Sequence, residues 1–188
     1  MLEALVSGST DPQVLSELAK GRLRKKLPEL KKALEGRFRP HHGFMVAEIL
    51  THLDFLDEAI EQVSQEVSRR IVPFSKIVEL MGLVPGINQR VAEGVLSEMG
   101  ADMSYFPSHG HAASWAGLCP GNNESAGKRK TGRTRKGNQW LRRYLIEASW
   151  AAVRKRGTYL SALYYRLVPR RGKNKAIVAV AHALLVMI

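Results

Sequence analysis

Between His41 and Pro73, the apolar residues Val46, Ile49, Leu53, Leu56, Ile60, Val63 and Val67 follow one another at alternating intervals of three and four. That spacing keeps a single apolar stripe on an α-helix for three heptads, whereas a strand would scatter the same residues over both of its faces. It predicts a long helix, ended by Pro73, with Glu48, Asp54, Asp57, Glu58, Glu61 and Glu66 on its outer faces. The stripe needs a cover. Leu23, Leu27, Leu30 and Leu34, spaced four, three and four, could supply it as the other arm of an antiparallel hairpin. A second chain could supply it as a coiled coil. The sequence leaves both open.

Helical signals continue on either side. Thr10 or Asp11 before Pro12 is a helix start, an N-cap ahead of proline at the first helical position. Pro28 either bends the leucine helix or marks its true beginning. After Pro73, Ile77–Met81, then Gly82-Leu83-Val84-Pro85-Gly86-Ile87, then Ala92–Met99 have the pattern of a helix-hairpin-helix over about 76–100. In that motif the tight turn offers backbone N–H groups to a phosphate, which makes Gly86 and Ile87 candidate nucleic-acid contacts. A plain αα-hairpin gives the same pattern. At Asn88 the motif prefers a second glycine, although Asn tolerates a positive φ. Tyr105 and Phe106 are read as core plugs, and Ser108 as the cap of a helix over 111–116. Trp140, Leu141, Tyr144, Leu145, Ala148 and Ala152 form a further stripe. A helix follows from Tyr159 to Leu167, with Tyr159, Tyr164 and Tyr165 read as core rather than as base-stacking platforms. Pro169–Lys175 reads as a second basic loop before the apolar run Ala176–Ile188, a buried helix too short for the roughly 20 residues a bilayer needs. The expected fold is all-α, with a helical hairpin or coiled coil over 1–72 and a compact helical domain over 73–188.

Charge divides the chain as well, at a later point. Of the net +12, residues 104–188 hold sixteen Lys and Arg against Glu124 and Glu147, a net of +14, so the first 103 residues sum to −2. A basic half of this kind is a surface for a polyanion, and nucleic acid is the natural one. The lone Cys119 excludes a disulfide framework and fits a reducing, cytoplasmic setting. Met1–Asp11 lacks the features of a signal peptide, and no membrane partner is expected. His41 with His42, and His109 with His111, have no acid or cysteine at ligand spacing, so no metal site is expected.

The basic half is densest at Pro120–Arg143. Glycines 121, 127, 132 and 137 and the near absence of apolar residues predict an exposed loop over about 120–138, leading into a helix that starts near Asn138. Lys128, Arg129, Lys130, Arg133, Arg135, Lys136, Arg142 and Arg143 oppose the single acid Glu124. These cations and Asn138 are the candidate phosphate contacts. Ser125 stands at the acidic entrance; on residue chemistry alone it is more often a turn residue than a nucleophile.

The order L-V-P-G-I, S-W-A-G-L-C-P, E-S-A-G-K, T-G-R-T-R-K-G-N-Q-W-L-R-R, then an apolar helix after a basic loop, resembles the C-terminal domain of DEDD-type insertion-sequence transposases, the bridge-RNA-guided recombinases. The resemblance covers roughly residues 76–188, and the preceding helices are similar to that family's coiled-coil segment. It implies DNA transposition in which a serine, here Ser125, attacks a DNA phosphodiester and becomes linked to the 5′ end. It further implies DNA and guide RNA as partners, homo-oligomers through the coiled coil, and Mg2+ in the complete enzyme, with no cofactor in this chain. The family's metal-binding acids lie in a RuvC-like domain that has no counterpart among these residues. The expectation is therefore that this chain binds nucleic acid but does not cleave DNA alone. Glu124 is a weak candidate for the base that activates Ser125. Two other readings compete: a non-enzymatic helix-hairpin-helix DNA- or RNA-binding module with Ser125 as a turn residue, and a helical dimerisation protein whose basic loops serve solubility.

Overall fold

The structure is a computed structural model that describes residues 1–36 and 38–188, with the side chains of Arg129 and Lys130 outside the described set. The chain divides into two units, Met1–Glu66 and Val67–Ile188. It is all-α apart from one small hairpin.

In the first unit a short helix α1 (Leu2–Val6), which the sequence reading missed, precedes α2 (Pro12–Glu17). Asp11 caps α2 by accepting the Gln13 N–H at 2.8 Å. The leucine-rich stretch is not one helix. Gly21–Lys26 winds as a 3₁₀ turn, and α3 (Leu27–Leu34) starts with Pro28 in its first turn, where the missing N–H breaks no helical bond. The heptad stretch forms α4 (Pro40–Ile71), a 32-residue helix that contains no buried residue. Ile49, Leu53, Leu56, Ile60 and Val63 are each 40–64% exposed, so the intramolecular hairpin does not cover the stripe. Helix α3 packs instead with α2.

The second unit has the core. A 3₁₀ turn at Val72–Phe74, around Pro73, ends the long helix. The next elements are α5 (Ser75–Gly82), α6 (Gln89–Met99) and α7 (His109–Trp115). Then come β1 (Asn123–Ser125), β2 (Lys128–Thr131), α8 (Gln139–Arg154), α9 (Tyr159–Arg171) and α10 (Lys173–Met187). The central helix is α8, which packs against α6, α9 and α10. Its Leu141, Leu145, Ala148 and Ala152 are buried, meeting Val95 of α6, Leu160 and Tyr164 of α9, and Val180 and Leu184 of α10 in one apolar cluster. Each fully buried leucine is worth ~1.5–3 kcal/mol, which makes this cluster the main support of everything attached to α8.

Small residues let the α5–α6 turn approach α8 closely. Gly86 has φ +92°, and a Cβ placed on it would press into the Ala148 carbonyl oxygen and come within 2.8 Å of the Ala152 Cβ. Asn88 does not adopt the positive φ its type would permit. It is extended (φ −100°) and caps α6 by accepting the Val91 N–H at 2.9 Å.

Several sequence expectations are corrected here. Tyr105 is no core plug; it is 79% exposed beside a short 3₁₀ turn, and only Phe106 turns inward, against Trp115. Asp102 caps that turn, and the Ser104 N–H and hydroxyl hold its carboxyl below the usual range. The second basic loop is absent. α9 continues through Pro169 to Arg171, Gly172 (φ +78°) alone interrupts the chain, and α10 starts at Lys173. Pro169 loses one helical bond near the end of α9, and Arg170 and Arg171 in the last turn complement the helix dipole. Of the three tyrosines read as core, only Tyr164 is buried, whereas Tyr159 and Tyr165 are about 60% exposed. No helix among the described residues is long and apolar enough to cross a membrane.

Candidate nucleic-acid interface

The Pro120–Arg143 stretch is a hairpin rather than an irregular loop. Ala126 (φ +51°) and Gly127 (φ +71°) form a two-residue turn with both central residues left-handed, the arrangement whose twist matches antiparallel strands. Ala-Gly is a weaker hairpin signal than Asn-Gly, and the polar strands alternate with no apolar face, so periodicity gave no warning. β1 and β2 pair antiparallel with Ser125 opposite Lys128 and Glu124 opposite Arg129, and the register shifts between Asn123 and Glu124.

Its base is tied to the helical core. Pro120 bridges Thr134, and the Gly121 N–H donates to the Arg133 carbonyl at 2.8 Å. The Arg142 guanidinium, one turn into α8, donates to the Thr134 hydroxyl at 3.0 Å and to the Gly117 carbonyl. Asn138 fixes the exit. Its side-chain oxygen accepts the Trp140 and Leu141 N–H groups, its amide nitrogen donates to Glu98 of α6 at 2.6 Å, and its backbone N–H reaches the Trp115 carbonyl at 2.9 Å. Helices α6, α7 and α8 therefore all hold the hairpin's foot, while its tip has nothing within 4 Å of the position a Gly127 Cβ would take.

Cross-strand partners in an antiparallel pair project from the same face. Ser125 and Lys128 therefore share a face beside the turn, and both are exposed. Among the described residues the Ser125 hydroxyl has no hydrogen-bond partner, so it is free to meet a ligand. Arg133, Arg135 and Lys136 are exposed as well. The register sets Ser125 beside Lys128 at the tip, whereas Arg133, Arg135 and Lys136 lie at the foot of the same hairpin.

The remaining candidates are placed differently. Asn138 and Arg142 are engaged in anchoring the hairpin. Arg143 pairs with Glu147 at 3.1 Å, an exposed i,i+4 pair of small worth. The side chains of Arg129 and Lys130 lie outside the described set. Ile87 is buried and its N–H is taken by the Val84 carbonyl at 3.1 Å, while Gly86 packs on α8, so neither joins the hairpin. The sequence reading missed Thr134 and Glu98 as supports. No local signal could have paired Glu98 with an asparagine forty residues away. Among the described residues no group of three or more His, Cys, Asp or Glu side chains is placed to hold a metal ion.

No curated protein matches the chain. Residues 78–166, which run from α5 through the hairpin into α9, match the family model of the transposase IS116/IS110/IS902 family.

Proposed function

We propose that the chain is the DNA-binding, serine-bearing part of a transposase in which Ser125 is the nucleophile. The observation that carries this reading is the register of the hairpin. It sets an exposed, unpartnered hydroxyl and the Lys128 ammonium on one face, beside a turn that projects from a firmly anchored base. In the step proposed, the Ser125 Oγ–phosphorus bond forms as the bond from phosphorus to the 3′ oxygen breaks. The serine gives up its proton, the departing 3′ oxygen gains one, and the 5′ end stays linked to serine. One phosphodiester replaces another, so the step needs no external energy and is reversible. Lys128 offsets the charge that develops on the phosphoryl oxygens, and Arg133, at the hairpin's foot, meets the DNA further along its backbone. Glu124 heads away from this face as the strand neighbour of Ser125, so the proton acceptor and any metal-binding acids are assigned to another domain.

Guide RNA shares the basic face in this reading, and a cytoplasmic site of action goes with it. The exposed stripe of α4 is assigned to a second copy of the chain, pairing as a coiled coil. The test combines the chain with an acid-bearing RuvC-like domain, Mg2+, guide RNA and DNA. A covalent protein–DNA adduct is expected, and it should disappear in Ser125→Ala. An undiminished adduct in that variant would sink the assignment.

A further inference from the structure

Three clefts of the Val67–Ile188 unit share lining residues. The first, about 600 Å³, lies between the hairpin's exit at Thr131–Thr134 and the start of α10, with Arg133 and Lys175 on its walls. His182, two turns further along α10, lines this cleft and also the second, of about 430 Å³. Tyr159, the first residue of α9, lines the second and also the third, of about 670 Å³, where Arg156 and Tyr165 join it. His182 and Tyr159 thus link the three in a row, a furrow in outline, from the hairpin to the α8–α9 corner.

Its lining alternates two chemistries. Tyr159 and Tyr165 are 61% and 60% exposed, although their neighbour Tyr164 is buried in the core. Rings left open to this extent on a well-packed helix have faces to offer. Arg133, Arg156 and Lys175 are exposed, and none has an ion-pair partner among the described residues. The only acids after residue 103 are Glu124 and Glu147, and Glu147 is bound to Arg143. Positive charge along the walls with aromatic rings between them is how proteins hold an unpaired strand: the cations track phosphates and the rings stack bases. A duplex could satisfy the cations alone, because its base faces are hidden in its own stack.

We propose that this furrow is a track for an unpaired nucleic-acid strand, with bases stacked on Tyr159 and Tyr165 and phosphates held by Arg156, Lys175 and Arg133, so that the strand is led to the hairpin carrying Ser125. The track rests on the nucleic-acid reading of the hairpin and adds to it a location and a preference for single strands. His182, where the first two clefts meet, is the step between the phosphate-holding end and the stacking end.

The test measures binding of the 188-residue chain to fluorescein-labelled oligo(dT), oligo(U) and a blunt DNA duplex, each about a dozen units long. Tyr159→Ala and Tyr165→Ala are each expected to weaken single-strand binding about tenfold while leaving duplex binding unchanged. Tyr105→Ala, a still more exposed tyrosine outside all three clefts, is the control and should change neither. Tighter binding of oligo(dT) would identify the strand as DNA and tighter binding of oligo(U) as RNA; either supports the track. Single-strand binding that is unaffected in both variants, or lost equally for the duplex, overturns it. Should Lys128→Gln still weaken the duplex in that case, the reading of the hairpin stands and only the track falls. Should the unaltered chain bind none of the three, both fall.

Discussion

Two of the turns that carry a left-handed glycine, at Gly86 and at Gly127, use it in opposite ways. At Pro85-Gly86-Ile87 the missing side chain is filled by α8, whose Ala148 and Ala152 backbone occupies the space. At Ala126-Gly127 the same backbone freedom leads into open solvent, and the turn presents Ser125 and Lys128 on its flanks. A glycine that permits contact belongs to the core, and one that permits projection belongs to the surface that acts. The first was singled out in the sequence as a turn that could meet a phosphate, the second only as part of an exposed basic loop.

Substitution should separate them sharply. Gly86→Ala combines a strained positive φ with a clash against backbone that cannot step aside, and the expected cost is about 3 kcal/mol or more by denaturant unfolding of the chain. A loss below about 1 kcal/mol would mean that α8 can retreat and that the turn is less tightly seated than described.

The hairpin's foot ranks next, because it is where the projecting element meets the core. Asn138→Ala removes the α8 cap and the partner of the Glu98 carboxylate together, for an expected loss of about 2 kcal/mol. Asn138→Asp keeps a capping oxygen but faces Glu98 with a second carboxylate. If it is as stable as the native chain in thermal melts, the link to α6 contributes nothing and the cap alone holds the exit. Gly127→Ala should cost only about 1 kcal/mol, the penalty for a left-handed alanine with free space around it.

How much of this could be read beforehand follows from how far each signal reaches along the chain. The helices were legible where apolar spacing is regular, as in α4, or where a cap stands beside a proline, as at Asp11-Pro12. They were misjudged where tertiary packing overrides a local breaker. Pro169 remains inside α9 because Leu160 and Tyr164 fix that helix in the core. The exposure of Tyr159 and Tyr165 was hidden because helical spacing tells which residues share a face but not which face finds a partner. Of the site, Ser125 and the cations were legible as composition and as a family resemblance. Their arrangement was not. The turn that pairs Ser125 with Lys128 is set by two φ angles, and its foot by contacts that span the chain from Glu98 to Arg142.

The smallest expected effect on stability is the one that speaks most directly to function. Arg133 is exposed and unpaired among the described residues, so Arg133→Gln should change unfolding free energy by less than about 0.5 kcal/mol. If its charge meets a phosphate, the same change should lower the dependence of log Kd on log salt by about one unit, because one fewer counterion is released on binding. Arg143→Gln supplies the contrast within the same basic stretch, since Arg143 already has Glu147 and its removal should leave that slope nearly unaltered. Equal reductions in the two variants would show that the protein presents a diffuse positive field. A reduction confined to Arg133 would tie the contact to the free cations of the hairpin, on the side of the molecule where the left-handed glycine projects instead of packing.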